Sequence, residues 1–179
     1  MTDGSGGDNG VSVDAVGEYF ALLWPLYCQQ SVDVELMPAV GFCWFRGVMG
    51  RKGGKWWVLA NASLAPRELF KSLMHELAHV RVRVRAGDAL VDNKASELEA
   101  FRAMLTGDAT TEQVDYVVGI CVKAALPNSL VPGGGREHEE DMDSWAWDRV
   151  NELWPWLVET RDAVKAFEVV RWIRQQEGV

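Results

Sequence analysis

Leu73-Met74-His75-Glu76-Leu77-Ala78-His79-Val80 is the stretch from which the rest of the chain is read, a His-Glu-x-x-His pattern inside a segment of helical character. On a helix, positions i and i+4 share a face with Cβ atoms roughly 5–6 Å apart, so His75 and His79 can hold one small cation between them. Glu76 lies beside that face, where its carboxylate can take a proton from a water on the cation without being a ligand itself. The surrounding helix is expected from about Pro66 to Val84. Pro66 suits a first helical turn, Glu68 favours the positive end of the dipole, and Leu69, Phe70, Leu73, Leu77 and Val80 form an apolar stripe beside the histidine line. Arg81, Arg83 and Arg85 complement the dipole at the other end.

Before this helix, Val40 to Met49 and Trp56 to Ala62 are aromatic and β-branched. They read as a hairpin whose tip, Gly50-Arg51-Lys52-Gly53-Gly54-Lys55, is glycine-rich and mobile. Val32, Val34 and Leu36 alternate with Asp33 and Glu35, as in a half-buried strand, so a small three-stranded antiparallel sheet is expected. Val11 to Gln29 reads as an amphipathic helix interrupted near Pro25, and residues 1–10 as a disordered N-terminus.

After the motif helix, Ala86-Gly87-Asp88 reads as its close, and Asp92 or Asn93 as the cap of a second helix through about Leu105. A third is expected from Thr111 to Ala125, with Val114, Val117, Val118, Cys121 and Val122 as its core face. Pro132-Gly133-Gly134-Gly135 is a flexible loop, and two helices broken near Pro155 should occupy about Asp141 to Gln176. Trp145, Trp147, Trp154, Trp156 and Trp172 are available to pack them. The expected class is α+β, a mostly helical single domain over residues 11–179 with the sheet against the motif helix.

Composition narrows the function. A net charge of −8 and a pI near 4.9 argue against a protein held to duplex nucleic acid by phosphate contacts, so no direct nucleic-acid partner is expected. No basic leader or long apolar run is present, which points to a cytoplasmic protein without membrane attachment. Cys28, Cys43 and Cys121 are scattered among apolar residues and read as reduced, buried thiols.

Two imidazoles do not complete a catalytic zinc site, which takes three protein ligands. The one other histidine, His138, lies 59 residues beyond His79. Nearer carboxylates stand at Glu97 and Glu99, on the helix that a hairpin would fold back along the first. The two point roughly 200° apart, so one of them at most faces the histidines. Glu97, sharing a face with small Ala100, is the preferred candidate and Glu99 the alternative. His138 and Tyr116 are candidate donors for a developing oxyanion.

The order of a strand ending in Asn61, then Pro66, His75-Glu76-Leu77-Ala78-His79 and Glu97-Leu98-Glu99-Ala100 resembles the gluzincin class of zinc metallopeptidases. More narrowly, it is similar to the small ImmA/IrrE-type peptidases over roughly residues 40–106. That resemblance implies a zincin-like fold, zinc held by His75, His79 and Glu97, and Glu76 as catalytic acid/base. It also implies a protein or peptide substrate, in that family often a transcriptional repressor, and a regulatory protease of a phage or mobile element. The alternatives from other classes are a non-enzymatic zincin-fold interaction protein and an anti-restriction-type accessory protein.

Overall fold

The computed structural model describes residues 10–178, so the N-terminal stretch expected to be disordered lies, but for Gly10, outside the described residues. The elements are α1 (Val13–Leu23), which continues into a 3₁₀ turn (Trp24–Leu26), β1 (Val32–Met37), β2 (Gly47–Lys52), β3 (Lys55–Asn61), α2 (Pro66–Ala86), α3 (Ala95–Thr106), α4 (Thr111–Ala125), α5 (Arg136–Thr160) and α6 (Ala163–Gln176). The class is α+β, as expected.

β3 decides the layering. Trp56, Val58 and Ala60 turn into one core and Trp57 and Leu59 into the other. A strand apolar on both faces belongs at the centre of a sheet. The order is accordingly β1-β3-β2, with β2 antiparallel to β3 across the Gly53-Gly54 turn and β1 parallel to it. This corrects the antiparallel sheet expected from the sequence, because the sheet is mixed. The residues between Met37 and Gly47 carry the chain past β3 to its far side, and the more polar β1 and β2 take the two edges. The hairpin tip is also shorter than expected, since Arg51 and Lys52 belong to β2 and only Gly53 and Gly54 turn.

One face of the sheet is covered by α1 and α2, on which α5 and α6 pack, and Tyr19, Phe20, Leu23, Phe70, Leu73, Leu77, Val150, Trp154 and Leu157 share this core with Trp56 and Val58. Burying a side chain of this size contributes roughly 1.5–3 kcal/mol, which makes this the main store of stability. The other face is covered by α3 and α4 through Leu98, Phe101, Leu105 and Val117, packed on Trp57, Leu59 and Phe45.

α3 therefore does not fold back along α2. Its apolar face is recruited by the opposite side of the sheet, and α5 takes the position beside α2. Lys94 rather than Asp92 or Asn93 caps α3, while Asp92 and Asn93 hold the hairpin, Asn93 by hydrogen bonds to the Arg51 backbone. α5 runs unbroken through Pro155, and the expected break falls instead at Arg161, whose left-handed φ of 52° ends α5 before Asp162 caps α6. On α4 only Val117 is buried, and Val118 and Val122 are exposed. Of the three thiols, Cys28 is buried, whereas Cys43 and Cys121 are partly exposed. No described helix is long and apolar enough to cross a membrane.

Candidate metal centre

α2 presents Lys71, His75 and His79 one turn apart, and α5 presents Asp143, Glu139 and His138 against them. Pairing runs in opposite directions along the two helices. Lys71 Nζ donates to Asp143 Oδ1, His75 Nδ1 lies 2.7 Å from the same oxygen, and His75 Nε2 lies 2.8 Å from Glu139 Oε2. His79 Nε2 lies 3.1 Å from Glu139 Oε1 and its Nδ1 3.2 Å from His138 Nε2. The helices are thus antiparallel, and an acidic pair spaced i,i+4 on α5 mirrors the histidine pair spaced i,i+4 on α2.

The nitrogens and the carboxylate that converge are those a cation needs. His75 Nε2 and His79 Nε2 are 3.0 Å apart, and with Glu139 they form a group whose ligand atoms all lie within 4.8 Å of one another. Both carboxylates only accept, so a neutral His75 can donate to one of them; with its proton on Nδ1 it donates to Asp143. His75 Nε2 is then a lone pair facing a second carboxylate and another imidazole nitrogen. Such acceptors are reconciled by a shared cation, or by a second proton on His75. Tetrahedral zinc with bonds of about 2.0–2.1 Å places its ligand atoms roughly 3.3 Å apart, close to the 2.8–3.1 Å edges here. The donor set therefore fits a small divalent ion.

The electrostatics agree with this geometry. Burial pushes His75 toward the neutral form, but its hydrogen bond with Glu139 and the charges of Glu76, Glu139 and Asp143 outweigh burial and raise its pKa. Burial favours the protonated form of Glu139, yet hydrogen bonds from His75 and His79 and their charges hold it well below the usual carboxylate range. Asp143 is likewise lowered, burial being outweighed by Lys71 and His75. Glu76 moves the other way. Burial raises its pKa despite the opposing charges of His79, His75 and Lys71. No hydrogen bond to its carboxylate is found among the described residues, and its side chain borders the open spaces in front of the histidines. Gly47 permits this position, since a Cβ there would lie 3.2 Å from the Leu59 carbonyl oxygen and 3.6 Å from the Glu76 carboxylate.

Of the residues expected from the sequence, His75, Glu76 and His79 stand together. Glu97 does not join them, and this is a correction: its carboxylate closes the capping box of α3, accepting from the backbone of Lys94 at 3.1 Å and from Asn93 Nδ2 at 3.3 Å. Glu99 pairs with Arg102. Tyr116 is also misplaced as an oxyanion donor, because it packs on Phe101 beside Glu97, away from the histidines. His138 is close, but as the partner of His79 Nδ1. Glu139 and Asp143 were missed, although their spacing on an acidic helix start was a usable signal.

The start of α5 fixes Glu139. Gly135 precedes it at φ 95° and ψ −172°, where a Cβ would come within 2.6 Å of the Leu126 carbonyl oxygen. Arg136 N donates to that oxygen at 2.7 Å, and Glu137 accepts from Asn128 N at 2.8 Å. These contacts close the loop between α4 and α5 and set the register in which Glu139 meets the histidines.

No protein-family model matches this chain, no curated protein matches it, and no solved structure matches it. The functional reading consequently rests on the site.

Proposed function

We propose that this protein is a zinc-dependent metallopeptidase in which His75, His79 and Glu139 hold the metal and Glu76 moves the proton. The observation that carries the reading is the convergence of His75 Nε2, His79 Nε2 and the Glu139 carboxylate beside a buried, unpaired Glu76. The resemblances to the gluzincin class and to its ImmA/IrrE-type family both placed the third ligand at Glu97, so the proposal keeps only the His-Glu-x-x-His chemistry, with Glu139 in that place. Bound there, zinc supplies the Lewis acidity that brings the pKa of a water near 7.

The chain's own residues do the rest. Asp143 and His138 orient the two imidazoles from behind, the arrangement that keeps a ligand's lone pair aimed at a metal. Glu76 accepts a proton from the attacking water and returns it to the leaving amine nitrogen. Burial raises its pKa, which makes its carboxylate the stronger base.

A peptide has a backbone rail beside this site. β2 is an edge strand, and the N–H and C=O of Arg51 point away from β3 toward Asn93. Backbone groups alternate along a strand, so those of Gly47 and Met49 point outward too, and both residues line the space in front of His75, Glu76 and His79. An extended substrate pairing with Gly47 and Met49 adds a strand to the sheet and brings its carbonyl to Glu76.

The test is metal analysis of purified protein followed by cleavage of unfolded protein substrates. Glu76→Gln should retain metal and lose about 10²–10⁴-fold in turnover. If metal-loaded wild type cleaves no unfolded protein, the proposal fails and a non-catalytic metal-binding protein replaces it. Phe42, 96% exposed on the loop entering β2, is the observation that favours this second reading, as a docking residue.

A further inference from the structure

The site opens to two sides of unlike character. Toward α2's N-terminus the space is polar, bounded by Arg46, Glu68, Lys71, Ser72 and Asp143. Toward α3 and α4 lies a cavity of about 440 Å³ whose walls are Phe45, Met49, Phe101, Ile120, Cys121 and Ala124. His75, Glu76 and Glu139 border both, so the two are halves of one cleft with the reacting groups at the junction.

The apolar half has a firm floor and a soft rim. Phe45 and Phe101 are 4% exposed and meet at a tilt with ring centroids 5.5 Å apart, fixed by the core between α3 and the sheet. Trp44 and Ile120, at 47% and 37%, stand open at the edge. Fixed aromatic walls beside a water-accessible opening leave apolar surface that a ligand can cover, and the volume is ample for one large side chain. Its position next to Gly47 and Met49 names the occupant: a side chain projecting from a peptide paired to the β2 edge.

Resting on the peptidase reading, we infer that this cavity selects the substrate: the protein acts on extended polypeptide segments carrying a large apolar residue, aromatic or leucine-like, which seats between Phe45, Phe101 and α4 next to the reacting carbonyl. Ala124 and Ile120 set the size of the residue accepted. The partner is then an unfolded or locally opened protein segment, since such residues are otherwise buried in folded proteins.

Binding and cleavage are measured separately. Metal-loaded Glu76→Gln is titrated by calorimetry with blocked hexapeptides that differ only in Phe, Leu or Ala at one position, and wild type is assayed for hydrolysis of the same set. Burial of the larger side chain should make the Phe and Leu peptides bind about 10–100-fold more tightly than the Ala peptide. In the Glu76→Gln background, Ala124→Phe should remove that contrast by filling the cavity, and Ile120→Lys, on an exposed position, should weaken it with little risk to folding. Hydrolysis by wild type without an apolar preference overturns this inference and leaves the peptidase reading standing. A binding contrast that Ala124→Phe removes, without hydrolysis by wild type, supports the cavity assignment and overturns the peptidase reading. Equal binding of all three peptides overturns the cavity assignment.

Discussion

Replacing Glu139 by glutamine and Glu97 by alanine separates the ligand set proposed on the structure from the one expected along the chain. Structural zinc binds with about 10–16 kcal/mol shared among its ligands, so losing one carboxylate of three protein ligands costs roughly 3 kcal/mol, or about 100–1,000-fold in Kd. Glu139→Gln should show this loss, because its oxygens lie 2.8 and 3.1 Å from the two imidazole nitrogens and no other carboxylate completes the group among the described residues. Asp143→Asn alters the oxygen that His75 Nδ1 shares with Lys71 Nζ and should weaken binding about 10–100-fold. Glu97→Ala should leave metal affinity within about twofold and lower stability by about 1 kcal/mol through loss of the α3 cap. Competition with a chromophoric chelator reads the affinities, and urea unfolding of the metal-free forms reads the stabilities. Loss of metal in Glu97→Ala with retention in Glu139→Gln would refute the assignment of α5 as the third ligand's helix.

Three further outcomes follow from the same contacts. The folded pKa values of Glu139 and Asp143 are depressed, so their stabilising contribution is present above the unfolded values near 4 and lost as pH falls. That of His75 is raised, so its contribution is complete below about 6.5 and lost as pH rises through the folded value. The metal-free protein should therefore have its highest Tm at about pH 4.5–6.5, while the Tm gain on adding zinc grows as pH rises above about 6.5 and His75 loses its proton. Thermal unfolding with and without chelator checks both trends, and a metal gain that shrinks with rising pH would count against them. Trp145→Ala removes a ring that Arg81 covers at 4.4 Å and Tyr27 meets edge-on at 5.5 Å, and should cost about 2–4 kcal/mol in urea unfolding without changing metal affinity. Gly135→Ala forces a Cβ against the Leu126 carbonyl in a backbone conformation reserved for glycine. It should cost about 2–4 kcal/mol and weaken metal binding as well, because Glu139 takes its register from that turn.

The sequence by itself determined most of the elements, though not the break between α5 and α6 or the cap of α3, and half of the site. Helical spacing placed His75 and His79 on one face of α2 with Glu76 alongside, because i,i+4 geometry is local and independent of what packs against the helix. Alternation in Val32–Leu36, capping signals and the proline at the start of α2 are local in the same sense. Tertiary structure decided the rest. β3 is apolar on both faces, and only the packing of helices on each side made it central and the sheet mixed. The same competition drew α3 to the Trp57 and Leu59 face, turning Glu97 from a candidate ligand into a helix cap. α5 took the place beside His75 and His79, where Glu139 became the third ligand candidate. Proximity in the chain favoured Glu97, but which carboxylate stands beside His75 and His79 depends on which helix wins the apolar face of α2, and so on both cores at once.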